Sequence, residues 1–253
     1  MAKIISVVNQ KGGVGKTTTA VNLAACLGDM DKKVLLMDID PQGNSTSGFG
    51  INKRETTMSS YDILVNNSRV KECTITTKFK NVDIVPSNIN LSGADIEILE
   101  KPKRERILKN AIAEISDKYD FILLDCPPSL GLITLNALTA SDTFLVPIQA
   151  EYYALEGLSQ LMSTVRKIKI NYNAYIDLEG VLLTMYDGRL SLSKQVTGEI
   201  KKFFPRKVYS TVIPRNVRLS EAPSYGEPII YYDRRSTGAE AYIKFTEEFL
   251  ANN

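Results

Sequence analysis

Apolar and polar positions recur along the chain with two periods that together predict an α/β fold. Short, nearly continuous apolar runs, typical of strands buried in a parallel sheet, lie at 4–8, 33–39, 121–125, 143–148 and 178–185. A further candidate strand covers 81–86. Apolar residues at helical spacing lie at 103–118, 153–168, 192–204 and 238–250. Because the two patterns alternate, we predict a doubly wound, mostly parallel sheet with helices on both faces.

Length and composition narrow the classes of protein that fit this pattern. The chain has 253 residues, 43% of them hydrophobic, which predicts a single domain over 1–253. No apolar run is long enough to span a membrane and no signal-peptide pattern precedes the first strand, so we expect a cytoplasmic protein. Three widely spaced cysteines indicate reduced thiols. The absence of histidine excludes imidazole chemistry, so any general base is a carboxylate or a bound water.

A glycine-rich loop joins the first strand to a segment with helical spacing. It reads Lys11-Gly12-Gly13-Val14-Gly15-Lys16-Thr17-Thr18. Glycines let backbone N–H groups approach phosphate oxygens at the positive end of a helix. This arrangement predicts a polyphosphate site in which Lys16 meets the β- and γ-phosphates, Thr17 binds Mg²⁺ and Thr18 donates to the α-phosphate. Gln10 replaces the usual first glycine and Lys11 is an additional lysine, whose simpler interpretation is a surface side chain in a turn.

Three aspartates follow apolar strands and are candidate metal or water ligands. Asp38 and Asp40 end the second strand and, two residues apart, leave it on one side. Asp125 ends the run 121–124 in the Walker B arrangement. Ligands bind at the carboxyl edge of parallel sheets, so we predict that these carboxylates handle magnesium and water. Turn formation before Pro41 and capping of a following helix are the structural alternatives.

Basic residues are concentrated in one stretch although the net charge is only +2. Between 180 and 220 only Asp187 and Glu199 are acidic, and this excess of cations is typical of nucleic-acid binding. The basic residues of the stretch are Arg189, Lys194, Lys201, Lys202, Arg206, Lys207, Arg215 and Arg218. A second cluster over 101–109 is most simply a solvated helix face, and the alternative is that it supplements a DNA surface.

Four segments taken together, 9–18, 38–47, 121–131 and 212–228, resemble the ParA/MinD ATPases with a deviant Walker A motif, and most closely the short chromosomal ParA proteins of the Soj type. The resemblance implies ATP and Mg²⁺ as cofactors and a sandwich homodimer in the ATP state. Lys11 would reach the partner's phosphates and Gly12 would permit the close contact. Asp40 would orient the attacking water, and Asp38 would support the magnesium shell. Pro214 and Asn216, with Met185 nearby, match the positions that surround adenine.

The same resemblance implies a partner and a cellular role. Arg189 and Arg218 match positions where the family binds the DNA backbone, and Lys194 and Lys201 belong to the same basic stretch. Phosphate contacts carry no base readout, so the implied partner is non-specific double-stranded DNA, bound by the ATP dimer and released on hydrolysis. Hydrolysis would be slow and stimulated by a ParB-type activator, in chromosome or plasmid partitioning at the nucleoid. No DNA-reading domain precedes the first strand, so the ATPase surface would contact the DNA.

Three other functions share parts of this pattern. A MinD-like membrane-cycling ATPase uses the same loop, but the acidic residues Glu240, Glu247 and Glu248 of the last helix argue against a membrane anchor. An ATP-dependent ligase would need a substrate pocket that the sequence does not reveal, and a tyrosine kinase would need tyrosines on a tail, whereas those here lie within the predicted fold. An electron-transfer iron protein would need more than Cys126 near the loop.

Overall fold

The apolar runs pair into one seven-stranded sheet in the computed structural model, which describes residues 1–253. The strand order is β3-β4-β2-β5-β1-β6-β7, and every neighbouring pair is parallel except the antiparallel pair β3 and β4. The strands are β1 (Lys3–Val7), β2 (Val34–Asp38), β3 (Ile75–Thr76), β4 (Val82–Val85), β5 (Phe121–Asp125), β6 (Thr143–Gln149) and β7 (Asp177–Thr184). The predicted doubly wound, mostly parallel sheet is therefore confirmed.

Twelve α-helices connect and cover the strands. They are α1 (Lys16–Asp29), α2 (Asn44–Gly48), α3 (Ser60–Leu64), α4 (Val70–Cys73), α5 (Ala94–Glu97), α6 (Ile107–Ala113), α7 (Leu132–Ala140), α8 (Ala154–Asn171), α9 (Ser191–Phe203), α10 (Val217–Glu221), α11 (Ile229–Tyr232) and α12 (Thr237–Ala251). Helices α1 and α12 pack on one face of the sheet with α10 and α11, and the core of the other face comes from α3 to α9. Both faces of the sheet are thus covered, as its uninterrupted apolar strands require.

The last helix shows how the sequence pattern sets the packing. Tyr242, Phe245 and Phe249 recur at helical spacing and are buried against the sheet face that α1 also covers. Ser236 begins the helix by accepting a hydrogen bond from the N–H of Ala239 at 3.2 Å. The acidic residues of this helix lie away from that buried face, as the amphipathic pattern predicts.

Two segments differ from the sequence prediction. The helix expected over 103–118 is interrupted, because the backbone leaves helical geometry at Arg106 (φ −117°, ψ 8°) and at Ile115 (φ −123°, ψ −1°). The segment therefore forms a 3-10 turn, the short helix α6 and a second 3-10 turn. The edge strand β3 was not predicted, since two residues are too few for a periodic signal. Neither difference touches the carboxyl edge of the central strands.

The segment after α9 follows β7 without forming a regular strand. Tyr209 and Ile213 donate backbone hydrogen bonds to Val181 and Leu183 of β7, and only isolated bridges are formed. This partial pairing brings Pro214 beside Tyr186, at the carboxyl edge of the sheet. The candidate adenine residues therefore reach the same edge as the glycine-rich loop.

No helix of the chain combines the length and the apolar character needed to cross a bilayer.

Candidate nucleotide and magnesium site

The glycine-rich loop leaves the carboxyl end of β1 and enters α1. Gly13 and Gly15 have left-handed backbones, with φ 73° and 82°, so an L side chain would be strained at either position. The loop is held to the far strand, because the Thr184 hydroxyl donates a hydrogen bond to the carbonyl of Val14 at 2.8 Å. Asn9 also shapes it, by accepting from the N–H of Lys11 at 3.0 Å. The result is a fixed turn that ends at the first N–H groups of a 14-residue helix.

Lys16 lies inside this turn and only 6% of it is exposed. Its ammonium group donates to the carbonyl of Lys11 at 3.1 Å. Burial lowers the pKa of Lys16, while nearby acidic groups, led by Asp125, act in the opposite direction. A buried ammonium beside such a loop is suited to bind the oxygens of a polyphosphate, whose negative charge would stabilise the charged form of the lysine.

Asp38 and Asp125 meet at the ends of adjacent strands. The two residues are in register between β2 and β5, and both are completely buried. Burial raises the pKa of each carboxyl group, and the neighbouring carboxylates, Asp125 for Asp38 and Asp40 for Asp125, raise it further. Two buried carboxylates on neighbouring strands repel each other when both are ionised, so a nearby cation is needed to stabilise the doubly ionised pair.

The donor set fits magnesium, which prefers a few carboxylates together with phosphate oxygens. The Oδ1 atom of Asp125 is buried and accepts no hydrogen bond, so it is free to face a metal ion or a metal-bound water. The Thr17 hydroxyl at the start of α1 lies close enough to Asp125 to favour its charged form, which lowers the pKa of that carboxyl group. The structure therefore places Thr17, Asp38 and Asp125, the three predicted magnesium ligands, close to one another.

Asp40 lies beside this pair and is 7% exposed. Its Oδ1 accepts from the N–H of Gln42 at 2.9 Å, and its own N–H donates to Asp38 at 3.2 Å. This turn fixes the backbone and leaves the second carboxylate oxygen without a protein donor. The residue therefore forms the predicted turn and also presents an oxygen that can accept a hydrogen bond from water.

Lys11 and Gly12 lie on the outside of the same loop and are exposed. The Lys11 ammonium forms an ion pair with Glu151 of the same chain, in which the lysine side chain stays 43% exposed. A Cβ at Gly12 would meet no atom within 4 Å, and its φ is not left-handed. One chain alone therefore gives no steric reason for glycine at this position.

A cavity of about 460 Å³ opens beside the loop, between Gly15 and the segment that follows Ile213. Met185, with φ 48°, and Pro214 line it. Asn216 also lines it, but its side chain caps α10 by accepting from Leu219 at 3.1 Å and donates to Thr237 at 2.8 Å. What Asn216 can offer a ligand is therefore its backbone and the position of the α10 turn.

The predicted basic residues lie on the outside of α9, α10 and the turn before α9. Arg189 is 90% exposed in its side chain and forms a bidentate pair with Asp187, at 2.9 and 2.7 Å. Arg218 pairs with Glu221 at 2.9 Å and with Asp233 at 3.5 Å. Lys194 and Lys201 on α9 are exposed and form no ion pair, and the same holds for Arg206 and Arg215 elsewhere in the basic stretch.

Four residues of the site were not found from the sequence. Ser45 and Thr46 donate to the buried carboxylates, Thr184 holds the loop and Glu151 pairs with Lys11. Each of these contacts joins residues far apart in the chain, except that of Thr46 with Asp38, eight residues earlier. For Ser45 and Thr46 the sequence offered one local signal, which is the position of their hydroxyls shortly after the Asp40-Pro41 turn. Thr184 and Glu151 had no local signal.

Comparison with known proteins gives consistent matches. A family model described as an AAA domain matches residues 2–178. The sporulation initiation inhibitor protein Soj of Bacillus subtilis is 57% identical over 252 residues, covering 100% of both chains. The chromosome partitioning protein ParA of Myxococcus xanthus is 46% identical over 250 residues, covering 99% of this chain and 88% of that protein. Among solved structures, cobyrinic acid a,c-diamide synthase from Mycobacterium smegmatis with a bound ATP analogue and magnesium has a TM-score of 0.86 and 33% identity, covering 99% of this chain and 95% of that one.

Proposed function

The chain belongs to the ParA/Soj family of chromosome-partitioning ATPases, and from this premise we propose that it is an ATP-gated dimer that binds double-stranded DNA non-specifically. The ATP form holds DNA as a sandwich dimer, and hydrolysis releases it. A ParB-type protein stimulates the slow hydrolysis.

The observation that carries this proposal is the contrast between the two lysines of the loop. Lys16 is buried inside the loop, where it would meet the nucleotide of its own chain, whereas Lys11 is exposed beside Gly12, where a single chain has open space. A cation that serves no group inside its own site is available to a second copy of the chain. Closing the dimer would move the Lys11 ammonium from Glu151 to the partner's phosphates.

The chemistry in each half of the dimer follows from the residues around the loop. Magnesium would be held by Thr17 with Asp38 and Asp125, and it would neutralise phosphate charge when bound. Lys16 and the loop N–H groups bind and orient the β- and γ-phosphates, and Gly13, Val14, Gly15 and Thr18 supply the rest of the cradle. Asp40 accepts a proton from, or orients, the attacking water. Met185, Pro214 and Asn216 form the wall against which adenine packs.

DNA binding would use the exposed cations of α9 and α10. Lys194 and Lys201 are unpaired, and Arg189 and Arg218 can exchange their carboxylate partners for phosphates. One such surface contacts few phosphates, but a dimer joins two of them, so the second contact becomes intramolecular and the overall affinity rises steeply. Nucleotide-dependent dimerisation thereby controls DNA affinity without any change within the basic surface.

The experiment that tests the proposal is DNA binding measured with ATP, with ADP and without nucleotide, over a salt series. We expect binding with ATP only, independent of DNA sequence, and a steep fall of affinity with salt. Sedimentation of the same samples without DNA should show dimers with ATP and monomers with ADP. Equal DNA affinity in all three nucleotide states would refute the switch.

A membrane-cycling ATPase is the second candidate function, because α9 has exposed apolar residues beside its lysines. Leu190, Leu192 and Phe203 are 54%, 43% and 68% exposed, and interfacial helices combine such residues with a basic face. The aromatic residues of α12 are buried and offer no such face, so α9 is the helix that we would expect to contact a membrane. Co-sedimentation with anionic liposomes in the presence of ATP distinguishes the two functions.

A further inference from the structure

The short helix α2 follows the Asp38–Asp40 turn and contacts both buried carboxylates through neighbouring hydroxyls. The Ser45 Oγ donates to Oδ2 of Asp125 at 2.7 Å. Thr46 donates twice to Oδ2 of Asp38, from its hydroxyl at 2.7 Å and from its N–H at 2.8 Å. Ser45 and Thr46 are themselves completely buried, so water does not compete for these bonds.

We propose that Ser45 and Thr46 are positioning residues that fix the two magnesium carboxylates in the orientation the metal requires. This inference rests on the proposed assignment of Asp38 and Asp125 to the magnesium shell. It adds to that assignment a pair of residues that never touch the metal but determine how well it is bound.

The pattern of donors and free oxygens supports this role. A carboxylate can rotate about its Cβ–Cγ bond, and a donor on one oxygen determines which way the other oxygen faces. In Asp125 the serine occupies Oδ2, and the buried Oδ1 forms no hydrogen bond of normal geometry, although the Thr17 hydroxyl lies near the carboxyl group. In Asp38 the threonine occupies Oδ2, while Oδ1 accepts only from the N–H of Asp40 at 3.2 Å. Outer-shell donors of this kind orient metal ligands and make them better ligands.

The hydroxyl pair is itself held in place by the surrounding structure. The Thr46 hydroxyl accepts a hydrogen bond from the N–H of Ser87, just past β4, at 2.9 Å. At the other end of α2, Gly50 lies against Gly226, where an added Cβ on Gly226 would come within 2.4 Å of the Gly50 Cα atom. Helix α2 is thereby fixed between two other parts of the chain, and its hydroxyls have little freedom to follow a carboxylate that moves.

The test is the magnesium dependence of fluorescent ADP binding by the full chain. ADP is used so that the result does not depend on dimer formation. Ser45→Ala and Thr46→Val remove one hydroxyl each, and Thr46→Val keeps the shape of the side chain. We expect each to raise the half-saturating Mg²⁺ concentration by about 10-fold, the lower end of outer-shell effects. ADP affinity in EDTA should stay unchanged, because the hydroxyls donate to the two carboxylates and would act only through the metal.

The controls separate positioning from a general loss of structure. Thr46→Ser keeps the hydroxyl and should restore nearly normal magnesium dependence. Thr139→Val removes another completely buried threonine hydroxyl, one without a hydrogen-bond partner, and should leave magnesium dependence unchanged. Thermal unfolding checks that each variant is folded. If one of the two hydroxyl variants does not fold, the magnesium dependence of the other tests the proposal.

Asp125→Asn separates failure of this inference from failure of the site assignment. If Asp125→Asn weakens magnesium dependence and the folded hydroxyl variants stay within about twofold of the wild type, well below the outer-shell range, the positioning role is refuted and the metal site stands. If Asp125→Asn also has no effect, the magnesium assignment fails and this inference fails with it.

Discussion

The charged groups of this protein occupy two contrasting regions. At the carboxyl edge of the sheet, Lys16, Asp38 and Asp125 are buried, with exposures of 6%, 0% and 0%, and are held by fixed hydrogen bonds. On the outer surface, Lys11 and Arg189 are 43% and 90% exposed in their side chains and pair with a carboxylate of their own chain. Surface pairs of this type contribute little because both side chains stay hydrated.

This difference in burial indicates what kind of ligand each region binds. Burying a charge costs free energy unless a group of opposite charge pairs with it. The inner group is therefore suited to a nucleotide and a metal ion that one chain binds. Exposed charges exchange partners easily, so the outer group is suited to meet another macromolecule. Substitutions in the inner region should therefore act on nucleotide binding and hydrolysis, and substitutions in the outer region on dimerisation and DNA binding.

Removal of Lys16 should have the largest effect of all. Lys16→Ala deletes a buried ammonium that would make two charge-assisted contacts with the phosphates, each worth about 1.5–3 kcal/mol. We expect nucleotide affinity to fall by about 100-fold or more, as measured by titration with a fluorescent ATP analogue. The exposed Lys80→Ala is the control and should bind normally. Retention of tight nucleotide binding by Lys16→Ala would contradict the division into two regions.

Asp40→Ala should separate hydrolysis from binding. A carboxylate that orients or deprotonates water contributes about 100-fold or more to the rate, so we expect phosphate release to fall by at least that factor. Nucleotide affinity should change little, and the ATP dimer should accumulate, as seen by light scattering. Asp31→Asn, at an exposed residue paired with Lys80 at 2.8 Å, is the matched control. Normal hydrolysis by Asp40→Ala would show that another group handles the attacking water.

The inner region was largely predictable from the sequence because its parts are local. The loop is contiguous, and Asp38, Asp40 and Asp125 end apolar strands, so parallel pairing alone brings them together. Ser45 was not predictable, because its contact with Asp125 joins residues 80 apart and a five-residue helix has no periodic signal. The pair of Lys11 with Glu151, 140 residues apart, was hidden for the same reason.

The outer region was predictable only in its composition. Counting charges over 180–220 identified the basic stretch but not which cations are free. The pairing of Arg189 with Asp187 and of Arg218 with Glu221 depends on side-chain conformations in turns and short helices. The prediction of one continuous helix over 103–118 was wrong for a related reason, since apolar spacing does not reveal the non-helical backbone at Arg106 and Ile115.

Substitutions on the basic surface should change DNA binding by amounts that depend on these pairs. Arg189→Glu reverses a charge beside Asp187 and should abolish DNA binding while ATP-dependent dimerisation survives. Lys194→Ala and Lys201→Ala should each lower the slope of log affinity against log salt by about 0.9 for every phosphate that the variant no longer neutralises. Lys109→Ala, in the second basic cluster, is the control and should leave the slope unchanged. Unchanged DNA retention by Arg189→Glu would remove the surface assignment.

Gly12→Ala should have the smallest effect on the single chain and therefore give the sharpest test of the dimer. A Cβ meets nothing within 4 Å and the backbone is not left-handed, so the free energy of unfolding of the monomer should stay the same or rise, by up to about 1 kcal/mol. If a second copy approaches this position closely, the same methyl group should weaken the ATP dimer by several-fold. Chemical denaturation with ADP and sedimentation with ATP measure the two quantities separately. An ATP dimer of normal affinity in Gly12→Ala would mean that the partner does not pack against this part of the loop.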